Sequence, residues 1–250
     1  MPRSCIPSRE AFIKRIILSA ILLALCLIPT VYAQMDENRA VGNKNEFSIA
    51  RIKWSGGGGG WFYNPSWSHD YPVAERNLMT QIRRVTSIDI TEEVEVVELD
   101  QPELFNHPFA YMCEVQDCTL SDEEAKGMRE YLLRGGFIMI DDSWSSYGLA
   151  HFTNELKKVF PGRSIERVTT DHPIFNAFYD IERIPAIRGR RRGGTEPICY
   201  GLTDYNGRLM MLINWGNDIG DGWEWAVQDR YTGLLAYKLG INYVLYAMSH

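Results

Sequence analysis

The sequence predicts an open, doubly wound α/β domain, a mostly parallel sheet with helices on both faces and an antiparallel hairpin near the C-terminus. Three observations predict it. Strand-length apolar stretches alternate with amphipathic helical stretches through the first two thirds of the chain, as in a parallel sheet with helical crossovers. The run Phe137 to Ile140 is continuously apolar, which a strand covered on both faces requires. Near the end, Asn206-Gly207 separates the apolar runs 198–202 and 209–213, a strong hairpin signal.

In chain order, Phe47 to Trp54 reads as the first strand. Gly56 to Gly60 then reads as a flexible loop. It lacks the G-K-[ST] ending of a phosphate loop, and Trp61 to Pro72 intervenes before a helix could open. Apolar positions 74, 78, 79, 82 and 85 recur at helical spacing across Val73 to Val85. Strands follow at 94–99 and 108–112. Ser121 and Glu124 form an S-x-x-E capping box, which satisfies free N–H groups at a helix start. Gly135 supplies the stop, because it tolerates positive φ. After the strand 137–140 come a helix over 152–160, a short strand over 165–168 and a helical turn over 173–178. The hairpin follows, and an apolar helix over 234–248 closes the chain.

The first 33 residues stand apart. Arg3, Arg9, Lys14 and Arg15 precede an apolar run of 13 residues from Ile16 to Ile28, and Val31-Tyr32-Ala33 precedes Gln34. These are the three parts of a secretory signal peptide. The apolar run is short of the roughly 20 residues that cross a bilayer as a helix. Cleavage after Ala33 and a periplasmic or secreted mature protein are expected, with an uncleaved N-terminal anchor as the alternative. Residues 34–46 read as a disordered lead-in, and 47–250 as one domain. The mature part carries 22 basic against 31 acidic residues. That balance argues against nucleic-acid binding, which needs a basic face to displace counterions. No second apolar run reaches membrane-spanning length. Cys113, Cys118 and Cys199 remain after processing. A Cys113–Cys118 bridge suits an oxidising compartment, with unbridged buried thiols as the alternative.

Several segments could carry chemistry. Asp141-Asp142-Ser143-Trp144 leaves the strand 137–140 at its carboxyl end, where ligands of doubly wound sheets bind. Turn and helix-cap roles are the alternative. Asn214 to Trp225 packs Asn217, Asp218, Asp221 and Glu224 among tryptophans that include Trp223. Such carboxylates suit calcium or magnesium, and the tryptophans suit stacking on a sugar or ring. A Gly-rich turn with exposed acids is again the alternative. His172 and His69 could be acid–base groups or metal ligands. Arg188, Arg190, Arg191 and Arg192 read as a solvated loop, with a carboxylate or phosphate grip as the alternative. No cofactor is named by any motif.

One set of segments occurs in a telling order. It runs Asp70-Tyr71-Pro72, Glu75-Arg76-Asn77-Leu78, Thr86-Ser87-Ile88, Leu132 to Phe137, Asp141-Asp142 and Asp171-His172-Pro173-Ile174-Phe175. Asn217-Asp218, Gly220 to Glu224 and Leu239-Gly240-Ile241-Asn242-Tyr243 complete it. From about residue 47 to the end, the chain resembles the bacterial domain-of-unknown-function family numbered 4159. A wider similarity is to class I glutamine amidotransferase-like folds, especially ThuA-like proteins linked to trehalose utilisation. It rests on Gly135-Gly136 before a buried strand and on Asp171 to Ile174. That resemblance implies a flavodoxin-like sheet with its site at the strand ends. Amidotransferases place a nucleophilic cysteine in a G-x-C-x-G turn. Here the corresponding exit is Asp141-Asp142-Ser143, so thiol chemistry is not expected.

The expectation is therefore a binding domain for a polar small molecule, carbohydrate among the candidates. Its site would comprise Asp141, Asp142, Trp144, His172, Asn217, Asp218, Asp221, Trp223 and Glu224, gathered in one cleft. The first rival is a hydrolase in which Asp141 or Asp142 works with His172 as a general acid–base pair, with assistance by a divalent metal as a variant. The second rival is an envelope protein-interaction module.

Overall fold

The computed structural model describes residues 46–56, 65–91, 93–187 and 196–250. The expected leader, the lead-in up to residue 45, most of the glycine run and the four arginines lie outside the described residues. Glu46–His250 forms one compact unit.

Seven strands form one sheet: β1 (Ile49–Ile52), β2 (Glu95–Val97), β3 (Phe109–Cys113), β4 (Phe137–Ser143), β5 (Glu166–Val168), β6 (Ile198–Thr203) and β7 (Leu209–Trp215). Their order is β2-β1-β3-β4-β7-β6-β5. The first five in that order are mutually parallel, while β6 runs antiparallel to β7 and β5 antiparallel to β6. The parallel part has the flavodoxin-type order, whose switch point lies between β1 and β3. The β6–β7 hairpin turns at Asn206-Gly207, where Gly207 has φ 88.

The helices are α1 (Val73–Val85), α2 (Asp122–Leu133), α3 (Ser146–Val159), α4 (Ile219–Glu224) and α5 (Arg230–Ser249). Both halves of the capping box at Ser121 and Glu124 are formed. Strand residues alternate between two cores. Ile49, Phe109, Tyr111, Phe137 and Met139 face α1, α4 and α5, while Ala50, Ile52, Met112, Ile138 and Ile140 face α2 and α3. The sheet is therefore covered on both faces. No described helix is long and apolar enough to cross a membrane.

Three differences from the sequence reading bear on the site. First, β4 continues through Asp141 and Asp142, pairing Asp141 with Cys113, and a bulge follows Ile140. Fully buried backbone continues the ladder because its polar groups have no water to turn to. Second, the stretch for which a Gly-rich turn was the alternative contains α4, with Asp218 as its N-cap. Third, the Cys113–Cys118 bridge is not formed: all three described cysteines are free. Cys113 sits on the α1 side of the sheet and Cys118 on the α2 side. The chain leaves β3 at Cys113 and passes through a helical turn at Val115–Asp117 before Cys118, which separates them despite their closeness in sequence.

Candidate functional site

The site begins with a residue that apolar patterning could not flag. Arg51 occupies the centre of β1 with no exposed surface. Its guanidinium pairs with the equally buried Glu75 of α1. One Nη donates to the carbonyls of Trp67 at 3.0 Å and His69 at 2.8 Å. The guanidinium also stacks 4.2 Å from the centre of the Tyr111 ring. A buried charge persists only when paired and hydrogen-bonded. Here that requirement fixes the chain between β1 and α1, and so places His69 and Asp70 above the carboxyl ends of β3 and β4.

Three carboxylates meet the His69 ring. Nδ1 lies 3.4 Å from Asp142 Oδ2 and 3.5 Å from Glu114 Oε1, while Nε2 lies 3.7 Å from Asp70 Oδ1. Asp70, Glu114 and Asp142 are the described non-glycine residues with positive φ, at 60, 50 and 49. Such backbone is uncommon for residues with a Cβ and clusters at functional sites. The contact with Asp142, then that with Glu114, raises His69 to about 11. The ring is an imidazolium at neutral pH and supplies the positive charge its neighbours need. The Trp144 indole N–H donates to the other oxygen of Asp142. A half-buried aromatic face is thereby fixed at the rim.

A second acidic group adjoins the first. Ligand oxygens of Asp70, Asp221 and Glu224 all lie within 4.8 Å of one another. Burial raises Asp70 to about 8, opposed by His69 and assisted by the charges of Asp221 and Glu224. Gly220 lets these groups approach. A Cβ there would stand 2.4 Å from the Tyr111 hydroxyl and 2.8 Å from Asp70 Oδ2.

Other predicted site residues hold the frame. Asp141 has no exposed surface, and its Oδ2 accepts from the N–H groups of Ile219 at 2.6 Å and Gly220 at 2.8 Å. Burial pushes it well above the usual carboxylate range, against the pull of those amides. Asp218 accepts from Asp221 N at 3.0 Å, closing the start of α4. Burial and the Asp142 charge push Asp218 up as well. Asn217 accepts from Ile187 N and donates to Pro185 O, tying down the chain beside α4. Trp223, expected as an apolar wall of the cleft, has no exposed surface and packs edge-on against Tyr111. Its position on the inner side of α4 puts it in the core.

His172 is not brought to this cleft. Its ring caps the turn Pro173–Phe175 and lies 5.5 Å from the Tyr246 ring. The Tyr246 hydroxyl accepts from Leu209 N, at the first residue of β7, whereas Asp218 follows its last. A strand of that length separates its ends by about 20 Å. The expectation of one cleft thus fails for His172, and His69 stands where it was expected.

A profile described as "Domain of unknown function (DUF4159)" matches residues 48–248. The chain belongs to this family. Comparison with curated proteins gave no match. The segments that carry the DUF4159 resemblance now divide by role. Asp70, Asp142, Asp221 and Glu224 belong to the two side-chain groups just described, while Glu75, Asp141, Asn217 and Asn242 support them or the fold. Asn242, for example, binds the backbone of Phe178 and Tyr179 from within α5. Cys113, at the end of β3, is buried and pushed well above its ordinary value by desolvation.

Proposed function

We propose that the mature chain is an exported binding domain for a donor-rich polar small molecule, an amine or a polyol, without thiol chemistry. The supporting observation is the ring of Asp142, Glu114 and Asp70 around His69, with Trp144 at its rim. Carboxylate oxygens are hydrogen-bond acceptors, so a ligand that complements Asp142 and Glu114 must bring hydroxyl or ammonium donors. An apolar indole face beside such acceptors suits a compact ring or chain. A location at the carboxyl ends of parallel strands, next to the switch point, supports the same reading. The hydrolytic alternative is less well served. A histidine held as imidazolium is a poor general base at neutral pH, and His172 lies at the other end of the sheet. Export rests on the basic, apolar and Val-x-Ala segments of the first 33 residues. Intact mass of envelope-fraction protein tests it, with loss of residues 1–33 expected and a full-length mass contradicting it.

Binding is tested by calorimetric titration with disaccharides, amino sugars and short diamines, in chelator to exclude metal effects. At least one class should bind, and Asp142→Asn should weaken it roughly 10- to 100-fold, the loss of a charged hydrogen bond. Far-ultraviolet circular dichroism of the variant controls for folding. Absence of binding across the panel, or binding indifferent to Asp142→Asn, would overturn the reading.

A further inference from the structure

We propose that Asp70, Asp221 and Glu224 form a binding site for a hard divalent cation, calcium in the first instance. The site shares Asp70 with the His69 ring that the polar-ligand reading uses, but it does not depend on that reading. Two independent observations carry it. The three side chains converge, with ligand oxygens within 4.8 Å of one another. The second is the state of Asp70. Its side chain is only 2% exposed, yet Oδ1 is buried with no hydrogen-bond donor. The nearest positive group, His69 Nε2, stands off at 3.7 Å. Buried carboxylate oxygens are ordinarily satisfied, whereas His69 gives this one an ion-pair neighbour but no hydrogen bond.

The neighbouring trio of His69, Glu114 and Asp142 is equally compact. There Nδ1 of His69 faces both carboxylates, and Asp142 also accepts from the Trp144 indole. The Asp70 trio contains no basic side chain. Among the described residues, no hydrogen bond or ion pair reaches the carboxylates of Asp221 and Glu224.

Ligand chemistry selects the ion. An all-oxygen, all-carboxylate set suits calcium or magnesium rather than zinc or copper. Oxygens on opposite sides of an ion lie about two bond lengths apart, roughly 4.6–5.2 Å for calcium and roughly 4.0–4.2 Å for magnesium. Separations within 4.8 Å are compatible with either ion, and calcium's flexible coordination tolerates an irregular set better than magnesium's near-ideal octahedron. Asp70 comes from the segment before α1, and Asp221 and Glu224 from α4. A bound ion would therefore tie the two sides of the cleft together, stabilising the folded state in proportion to its occupancy.

The test uses the full chain stripped with chelator and then melted in calcium chloride or magnesium chloride, with no organic ligand present. At 100-fold excess over the dissociation constant, calcium should raise the melting temperature by about 5–11 °C. Asp221→Asn with Glu224→Gln, both less buried than Asp70, should remove that rise, while Glu98→Gln on the distant surface should keep it. Terbium luminescence sensitised by the protein's aromatic residues gives a readout independent of stability and should be lost in the same double variant. No cation-dependent rise in the stripped protein would overturn the proposal. So would a rise that persists in the double variant, or one that Glu114→Gln alone abolishes, which would place the ion at the other trio. Because polar-ligand titrations are run in chelator, failure here leaves that reading standing, and the reverse also holds.

Discussion

Replacing Asp141 by alanine separates a structural carboxylate from a ligand-binding one. Asp141 Oδ2 is the acceptor for two buried backbone amides, Ile219 at 2.6 Å and Gly220 at 2.8 Å, where α4 begins. A buried donor left unsatisfied costs about 1–3 kcal/mol, so two cost about 2–6 kcal/mol. Removing a carboxyl from beside Asp142 and Asp218 also relieves like-charge repulsion, which places the expected loss in the lower half, about 2–4 kcal/mol. For a domain of this size each kcal/mol moves the melting temperature by roughly 2–4 °C. Asp141→Ala should therefore melt roughly 4–16 °C lower. Asp141→Asn keeps a carbonyl for both amides but turns an NH2 toward the position of Oδ1, which has no partner. Its loss should be smaller, about 1–3 kcal/mol for one unsatisfied group. Differential scanning calorimetry measures both. A loss below about 1 kcal/mol for alanine, or asparagine proving worse than alanine, would refute the anchoring of α4 by Asp141.

Arg51→Met should destabilise by about 3–5 kcal/mol, because it leaves Glu75 as an unpaired buried charge. Most of that loss should return in Arg51→Met with Glu75→Leu when both are measured by urea unfolding. His172 provides a pH test. Its Nδ1 accepts from Ile174 N at 3.2 Å, and burial, aided by His250, lowers its pKa below 6.5. The neutral ring is thus favoured on folding. Its contribution is complete above about pH 6.5 and is lost as pH falls through the lower folded value. His172→Asn should flatten that part of the stability–pH curve, and an unchanged slope would count against the assignment. Finally, alkylation of unreduced, denatured mature protein should label Cys113, Cys118 and Cys199 alike. Labelling of Cys199 alone would restore the bridge.

The α/β alternation, the capping box at Ser121, the covered strand at Phe137 and the Asn206-Gly207 hairpin were all legible in the sequence. Each depends on residues close in the chain, and local periodicity and turn chemistry decide them. The exit of β4 was legible as a place for chemistry because a buried apolar run ends there in two acids. Which acid does what was not. Asp141 and Asp142 are adjacent, but alternation across the strand sends one toward the amides of α4 and the other toward His69. Sequence spacing could not pair β1 with α1 either, so the burial of Arg51 and Glu75 is a property of the assembled sheet. Trp223 and His172 show the same limit. Both sit in segments with the composition of a site, yet one faces inward from a short helix and the other lies beyond the opposite end of β7. Composition marks where polar and aromatic groups are concentrated, whereas the direction in which each points is set by packing between elements far apart in the chain.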